Sequence, residues 1–399
     1  MRSPATRRAV LLSSTTVLVL GLAACHQSQA ASADLKIVGL TQIDQNGAQV
    51  QAPAGATPAD PAAGSTAPCP PVSIAMMLPL TGPDAALGAN IKDGVQLAVD
   101  KHNQADSGCQ VQLKPFDSEG DPQKATAIAP QIVDDSSIIG LIGPGNSGET
   151  NATGSVFDQS GLLSATPSAT NVTLAAKGWK TFIRGLANDG VQGPAVANYL
   201  KNTLHSERVC VIDDSTDYGL GLAQAVRQTL GPVADSTCDI QVKRGDKDFS
   251  AAVTQLKSAN PDAIFYGGYY AEAATLVQQL REQGVTATFA SGDASNDPEF
   301  FKQAGESARG ALLSCPCAPA SGDFADQYTK KFGQEPGTYS AEGYDLGTIM
   351  LKGIDTGHVT RPALLDFVRN YDGQGMARHY RWTPTGELTS TLIWLYKVQ

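Results

Sequence analysis

Apolar positions along the chain switch repeatedly between unbroken runs and a helical spacing. The run VSIAMMLPL (72–80) gives way to a stretch in which Ile91, Val95, Ala98, Val99 and His102 recur at i, i+4, i+7, i+8 and i+11. That spacing predicts one face of a helix over about residues 86–103. VQLKPFDSE, a helical PQKATAIAPQIVDD and the run IIGLIG follow. The second half repeats the scheme: RVCVIDDS, helical YGLGLAQAVRQTLG, IQVKRG, helical DFSAAVTQLKSA, AIFYGGY, helical AEAATLVQQLREQG and TFASGD. Runs apolar on every position read as strands covered on both faces, and their alternation with helices predicts parallel α/β sheets. Two such series in succession predict two doubly wound lobes.

The ends of the chain read differently. Arg2, Arg7 and Arg8 precede an apolar core too short to span a bilayer comfortably, and LAAC (22–25) follows it. The tetrapeptide resembles a bacterial lipobox, so residues 1–24 are expected to be a lipoprotein signal peptide and Cys25 the lipidated residue. The plainer reading is an ordinary secretory signal cut near Ala30 or Ala31. Residues 25–68 are rich in Ala, Gln, Pro, Gly and Ser and read as a tether. Within them, alternation around Asn46-Gly47 signals a hairpin that is expected to pack on a lobe as an extra ribbon.

Composition narrows the function classes. The net charge is −10, and −13 once the leader's three arginines are removed. No basic stripe is present, so nucleic acid is not an expected partner. Apart from Cys25 there are six cysteines, an even number that argues disulfides in an exported protein. Fifteen connectivities are possible. Local order favours Cys69–Cys109 and Cys210–Cys238, each at the starts of runs expected to be neighbouring strands. It leaves Cys315–Cys317 by elimination, and a redox or metal role is the sharper alternative for that C-x-C.

In a doubly wound sheet ligands sit beyond the carboxyl ends of the strands. The loops expected there are PLTGPDA, GPGNSGET, ATPSAT, DSTDYG, YGGYY and SGDAS. GPGNSGET lacks the lysine of a phosphate loop. Gly143, Gly145 and Gly148 match G-x-G-x-x-G, but no acid ends a strand about 20 residues on. Glu149 stands where a nucleophile elbow needs glycine, and no histidine is placed to serve Ser147. Nucleotide binding and catalysis therefore fit poorly, and neither cofactor nor metal is called for. What remains is a polar cradle. Backbone N–H groups of GNSG and SAT, with the Ser147 and Thr170 hydroxyls, suit a carboxylate, and Asp293 suits an ammonium. The blander alternative makes these hydroxyls helix caps.

In these loops and in LTGPDAALG, DYGLGLAQAV, DKDFSAAVTQLK, YGGYYAEAATLVQQLREQG and AGESARGALL, the chain from Val72 onward resembles the periplasmic leucine/isoleucine/valine-binding proteins. The resemblance implies the type I periplasmic binding fold: two doubly wound parallel-sheet lobes joined by three hinge crossovers. The crossovers fall near Gly185–Asp189, Ser314–Ala318 and Trp382–Gly386. Lobe 1 is then 72–186 plus 318–382, and lobe 2 is 189–314 plus 386–399.

Carried over by position, the resemblance gives Ser147 and Thr170 to the ligand carboxylate. Ser168, through its carbonyl, and Asp293 go to the ammonium, Tyr218 and Tyr269 close from lobe 2, and Tyr339 packs on the ligand side chain. For each tyrosine the plain alternative is core or rim packing. Leu87 and Asn146 border the side chain, and both depart from the family pattern. Asp293 stands where an acid longer by about 1.3 Å is usual, so a roomier pocket is expected. The implied function is an extracytoplasmic, lipid-anchored binding protein, not an enzyme. It would deliver a neutral or branched-chain amino acid to an ABC transporter permease. A sensor of the same fold, for an amide or urea, is the alternative.

Overall fold

A computed structural model of the chain describes residues 35–51, 57–63, 68–389 and 392–399. The predicted leader and Cys25 lie outside the described residues. Among the described residues no helix is long and apolar enough to cross a membrane.

The chain opens with a ribbon, β1 (Ile37–Ile43) and β2 (Gln49–Val50). The first series follows: β3 (Val72–Leu78), α1 (Ala85–Ala105), β4 (Val111–Asp117), α2 (Pro122–Asp134) and β5 (Ile138–Ile142). It continues through α3 (Ser147–Gln159), β6 (Leu163–Thr166), α4 (Thr173–Ala176) and β7 (Phe182–Arg184). The second series begins with α5 (Asp189–Asn198), β8 (Val209–Asp213), α6 (Asp217–Leu230), β9 (Ile240–Gln241) and α7 (Ser250–Ala259). It ends with β10 (Ala263–Gly267), α8 (Tyr270–Glu282), β11 (Thr288–Ser291), α9 (Pro298–Ala304) and β12 (Leu312–Cys315). The chain then supplies α10 (Gly322–Phe332), α11 (Ser340–Asp355), α12 (Arg361–Arg369), β13 (Asp372–Gln374) and β14 (His379–Arg381), and finishes with β15 (Ile393–Val398).

The first sheet has the order β4-β3-β5-β6-β7, all parallel. The second has the order β2-β1-β15-β12-β11-β10-β8-β9. Its β8–β12 core is parallel, and β15 and β1 are added antiparallel at one edge. The ribbon around Gly47 thus belongs to this second sheet, because β1 pairs with the last strand of the chain from Ile37↔Val398 to Ile43↔Ile393. Strands β3, β5, β6, β8 and β10 are buried at every position. Covering helices on both faces leave such strands no polar side, and this is why their sequences show no alternation.

Helices α10–α12 return to the first sheet. There α11 crosses α1 so closely that a Cβ on Gly94 would lie 2.0 Å from the Ser340 carbonyl oxygen. From β3 onward the chain passes between the two lobes three times, after β7, after β12 and after β14. The first and third passages are tied together. Arg184 donates its backbone N–H to the Gly386 carbonyl (2.9 Å), and Trp382 Nε1 donates to the Arg184 carbonyl (2.7 Å).

All three disulfides pair as the cysteine spacing favours. Cys69–Cys109 clips the starts of β3 and β4, with Cα atoms 4.7 Å apart. Cys210–Cys238 joins β8 to the turn before β9. Cys315–Cys317 lies in the second passage. His102, Cys109 and Asp355 converge, but Cys109 is oxidised and His102 Nε2 bonds Asp355 at 2.8 Å, so they form no metal-ligand set.

Candidate functional site

A buried cavity lies between the lobes, at the carboxyl ends of both sets of parallel strands. Lobe 1 contributes Pro79, Leu87, Ile91, Gly145, Asn146, Ser147, Ser168 and Tyr339; lobe 2 contributes Tyr218, Tyr269, Asp293 and Ala294.

The lobe 1 wall is set by how β5 turns into α3. Gly143 has φ +115°, and a Cβ there would meet the Met77 carbonyl oxygen at 2.4 Å, so only glycine fits. Gly145 N–H then bonds the same carbonyl at 3.1 Å. Asn146 is the N-cap of α3, and its backbone N–H is taken by Glu149 Oε2 at 2.8 Å. The acid that spoils a nucleophile elbow is therefore the second half of a capping box. Burial pushes the Glu149 carboxyl up to about 7. Ser147 occupies the first helical position, where N–H groups and the helix dipole favour an anion.

The loop after β6 is pinned beside it. Ser147 Oγ accepts the Asn171 N–H (3.3 Å), and Ser168 Oγ donates to the Gly145 carbonyl (2.7 Å). Underneath lies Arg184, fully buried. Its guanidinium donates to the Ala169 carbonyl, to the Asn171 carbonyl at 3.0 Å, and to both Glu387 oxygens at 3.0 and 3.1 Å.

The lobe 2 wall centres on Asp293, which opens a turn just beyond β11 and is 1% exposed. Tyr218 donates to Oδ1 at 2.9 Å, and Tyr339 donates to Oδ2 from the other lobe. Burial raises the Asp293 pKa, and these hydroxyl donors oppose the rise. Tyr269 packs on Tyr218 with ring centroids 5.3 Å apart.

Eight of the nine ligand residues expected from the sequence line this cavity: Leu87, Asn146, Ser147, Ser168, Tyr218, Tyr269, Asp293 and Tyr339. Thr170 does not. Its buried hydroxyl lies against the carboxyl of Asp189, a residue the sequence reading passed over as a hinge position. Asp189 is the first residue of α5, and neither of its oxygens has a hydrogen bond of normal geometry. Burial, reinforced by the negative charge of Asp293, pushes it up to about 8. Its sequence signal was only that of an acid in the first turn of a helix.

The Tyr218 and Tyr339 hydroxyls converge on the short Asp293 side chain. The lobes meet around it. Asn90 Nδ2 donates to Asp297 Oδ2 and Asn151 Nδ2 to Asp217 Oδ2, both at 3.0 Å, and Thr338 donates to the Asn296 carbonyl. Such a site offers an anion cradle from one lobe and a buried carboxylate from the other. It has no histidine, cysteine or lysine in its walls.

Two doubly wound lobes closing over a buried polar cavity define a two-lobed small-molecule receptor of the type I periplasmic binding fold. The chain belongs to the periplasmic binding protein family, whose model matches residues 71–399. It is 30% identical over 337 residues to the Leu/Ile/Val-binding protein BraC3 of Rhizobium johnstonii, covering 82% of this chain and 91% of that one. It is 28% identical over 324 residues to a leucine-, isoleucine-, valine-, threonine- and alanine-binding protein of Pseudomonas aeruginosa, covering 79% and 85%. Among solved structures, the leucine-binding protein LivK of Thermotoga maritima superposes with a TM-score of 0.75 at 27% identity, over 81% of this chain and 94% of that one. The branched-chain amino acid substrate-binding protein LivJ of Streptococcus pneumoniae, in complex with isoleucine, gives 0.74 at 28% identity, over 80% and 94%.

Proposed function

We propose that the protein is an extracytoplasmic binding protein that captures a small neutral or branched-chain amino acid between its lobes and delivers it to an ABC transporter permease. Cys25 carries the lipid that holds it at the outer face of the membrane. The observation that carries this reading is the pairing of Asp293, buried on lobe 2, with the Ser147–Ser168 cradle on lobe 1, across one closed cavity. The α-carboxylate sits on the cradle. The ammonium lies between the Ser168 carbonyl and Asp293. A ligand touching both walls favours the shut form by its differential contacts, and the permease reads that form. The names of the relatives support an amino acid as cargo.

A thermal-shift screen of amino acids, amides and simple carboxylates tests the reading. A ligand at 100 times Kd adds about 2.7 kcal/mol to stability. Shifts with neutral amino acids support the proposal. Shifts only with amides or urea would replace it with a sensor.

A further inference from the structure

We propose that Arg244 and Asp84 form a positioning pair that sets the size of the pocket, through one ion pair holding a wall residue of each lobe. The proposal rests on the amino-acid reading above. Arg244 follows β9 in lobe 2, and Asp84 immediately precedes α1 in lobe 1. Arg244 Nη2 donates to Asp84 Oδ2, across the cleft and 160 residues away in sequence. The two groups also face inward. The flat face of the guanidinium lies over the Tyr269 ring, 4.0 Å from its centroid. Asp84 Oδ2 accepts a second hydrogen bond from Asn146 Nδ2 at 2.8 Å. Tyr269 and Asn146 both line the cavity, from opposite lobes.

The residue types fit this task. A guanidinium stacks with its face while its edge meets a carboxylate, and an ammonium does not do both. The Asp84 side chain is fully buried, and its other oxygen, Oδ1, has no hydrogen-bond partner among the described residues. Its charge is therefore compensated through Oδ2, by Arg244 and Asn146. Glu272 and Asp214 of lobe 2 and Glu149 of lobe 1 also lie close enough to interact with the Arg244 charge. Even the seat is specific: a Cβ on Gly120 would come within 2.8 Å of Asp84 Oδ2 and 3.6 Å of Arg244 Nη2. With Arg244 in place, Tyr269 has no room to retreat and Asn146 is drawn toward the cleft. A ligand side chain growing toward these walls meets them early.

The test uses the full chain with Arg244→Ala, Arg244→Lys, Asp84→Asn and the Asp84→Asn/Arg244→Ala double variant. Each is titrated calorimetrically with alanine, valine, leucine and phenylalanine. Arg244→Ala is expected to weaken alanine binding at least tenfold and to shift the leucine-to-alanine affinity ratio at least tenfold toward leucine. Arg244→Lys keeps the fold and the charge and still shifts the ratio. The double variant binds as Arg244→Ala does. Equal loss for all four ligands, or no loss, would overturn the size role. Amide hydrogen exchange of ligand-free protein supplies a readout independent of the ligand's identity. Peptides carrying Asn146 and Tyr269 should both exchange at least threefold faster in Arg244→Ala and Arg244→Lys. Unchanged exchange at either wall overturns the pair. A wild type that binds none of the four amino acids refutes the cargo reading, and the exchange result then decides the pair alone.

Discussion

Tyr339, carried by lobe 1, donates its hydroxyl hydrogen bond to Asp293 Oδ2, carried by lobe 2. It does so from a backbone conformation with φ +69°, which bulky residues rarely adopt and which costs on the order of 1–3 kcal/mol. The strain sits where the lobes meet at Asp293. A hydrogen bond to a buried carboxylate is worth roughly 1.5–3 kcal/mol. Tyr339→Phe is therefore expected to weaken amino-acid binding by about tenfold to a hundredfold in calorimetric titration, with the fold intact by circular dichroism. Binding unchanged would remove Tyr339 from the clasp.

The acid and the cradle are separable by ligand chemistry. Asp293→Asn keeps the shape and loses the charge. It is expected to reduce affinity for amino acids at least a hundredfold, while leaving carboxylates without an amine unaffected or improved. Ser147→Ala is expected to weaken both kinds of ligand. Titration of leucine beside 4-methylpentanoate on each variant checks the assignment. Normal leucine binding by Asp293→Asn would show that the ammonium lies elsewhere.

Several of the readable features were legible for a common reason. Buried parallel strands are apolar at every position, so β3, β5, β8 and β10 stand out in the sequence, and ligand loops must follow them. The Asn46-Gly47 turn was legible, but not that β1 would pair with β15 at the far end of the chain. The supports of the site were hidden in the same way. Arg184–Glu387 and Arg244–Asp84 join residues 203 and 160 apart, and no local period marks such partners. Sequence places the Thr170 loop but not the rotamer that turns its hydroxyl to Asp189, and a first-turn helix acid such as Asp189 is too ordinary to stand out. The convergence of two tyrosine hydroxyls on Asp293 depends on side-chain directions that residue types alone do not give.

Arg184 is expected to matter more for the fold than a surface ion pair would. Arg184→Ala leaves Glu387 and two buried carbonyls without their partner, and breaking a buried pair of this kind costs about 3–5 kcal/mol. Arg184→Lys cannot reach all three groups and recovers only part of that. Denaturant melts measure the loss. A cost under about 1 kcal/mol for Arg184→Ala would contradict the role assigned here.

The pH dependence follows from buried acids. Burial holds Asp189 at about 8, Glu149 and Asp345 at about 7 and Asp214 at about 6 in the folded protein. The unfolded chain releases these protons near pH 4. Between those limits the folded state binds more protons, so stability falls as pH rises. Asp135, held at about 2 chiefly by Lys114, acts oppositely, and its contribution is lost as pH falls below 4. The Tm of ligand-free protein is expected to peak near pH 4 and decline toward pH 8, and Asp189→Asn should flatten the upper part of that decline. A Tm that rises from pH 5 to 8 would contradict the assignment.

Cys315–Cys317 lies in the second passage between the lobes, where closure changes backbone dihedrals. The bridge is expected to limit that change. Small-angle scattering of Cys317→Ser, with and without ligand, should show a larger opening amplitude than wild type. Equal amplitudes would make the bridge a bystander.

The central claim is that one zwitterion is gripped at its two poles by opposite lobes. A crystal structure of the protein with its tightest-binding amino acid tests it most directly. The account predicts the α-carboxylate at Ser147 and the ammonium within hydrogen-bond distance of Asp293. An amino acid held by one lobe alone, or seated outside this cavity, would contradict it.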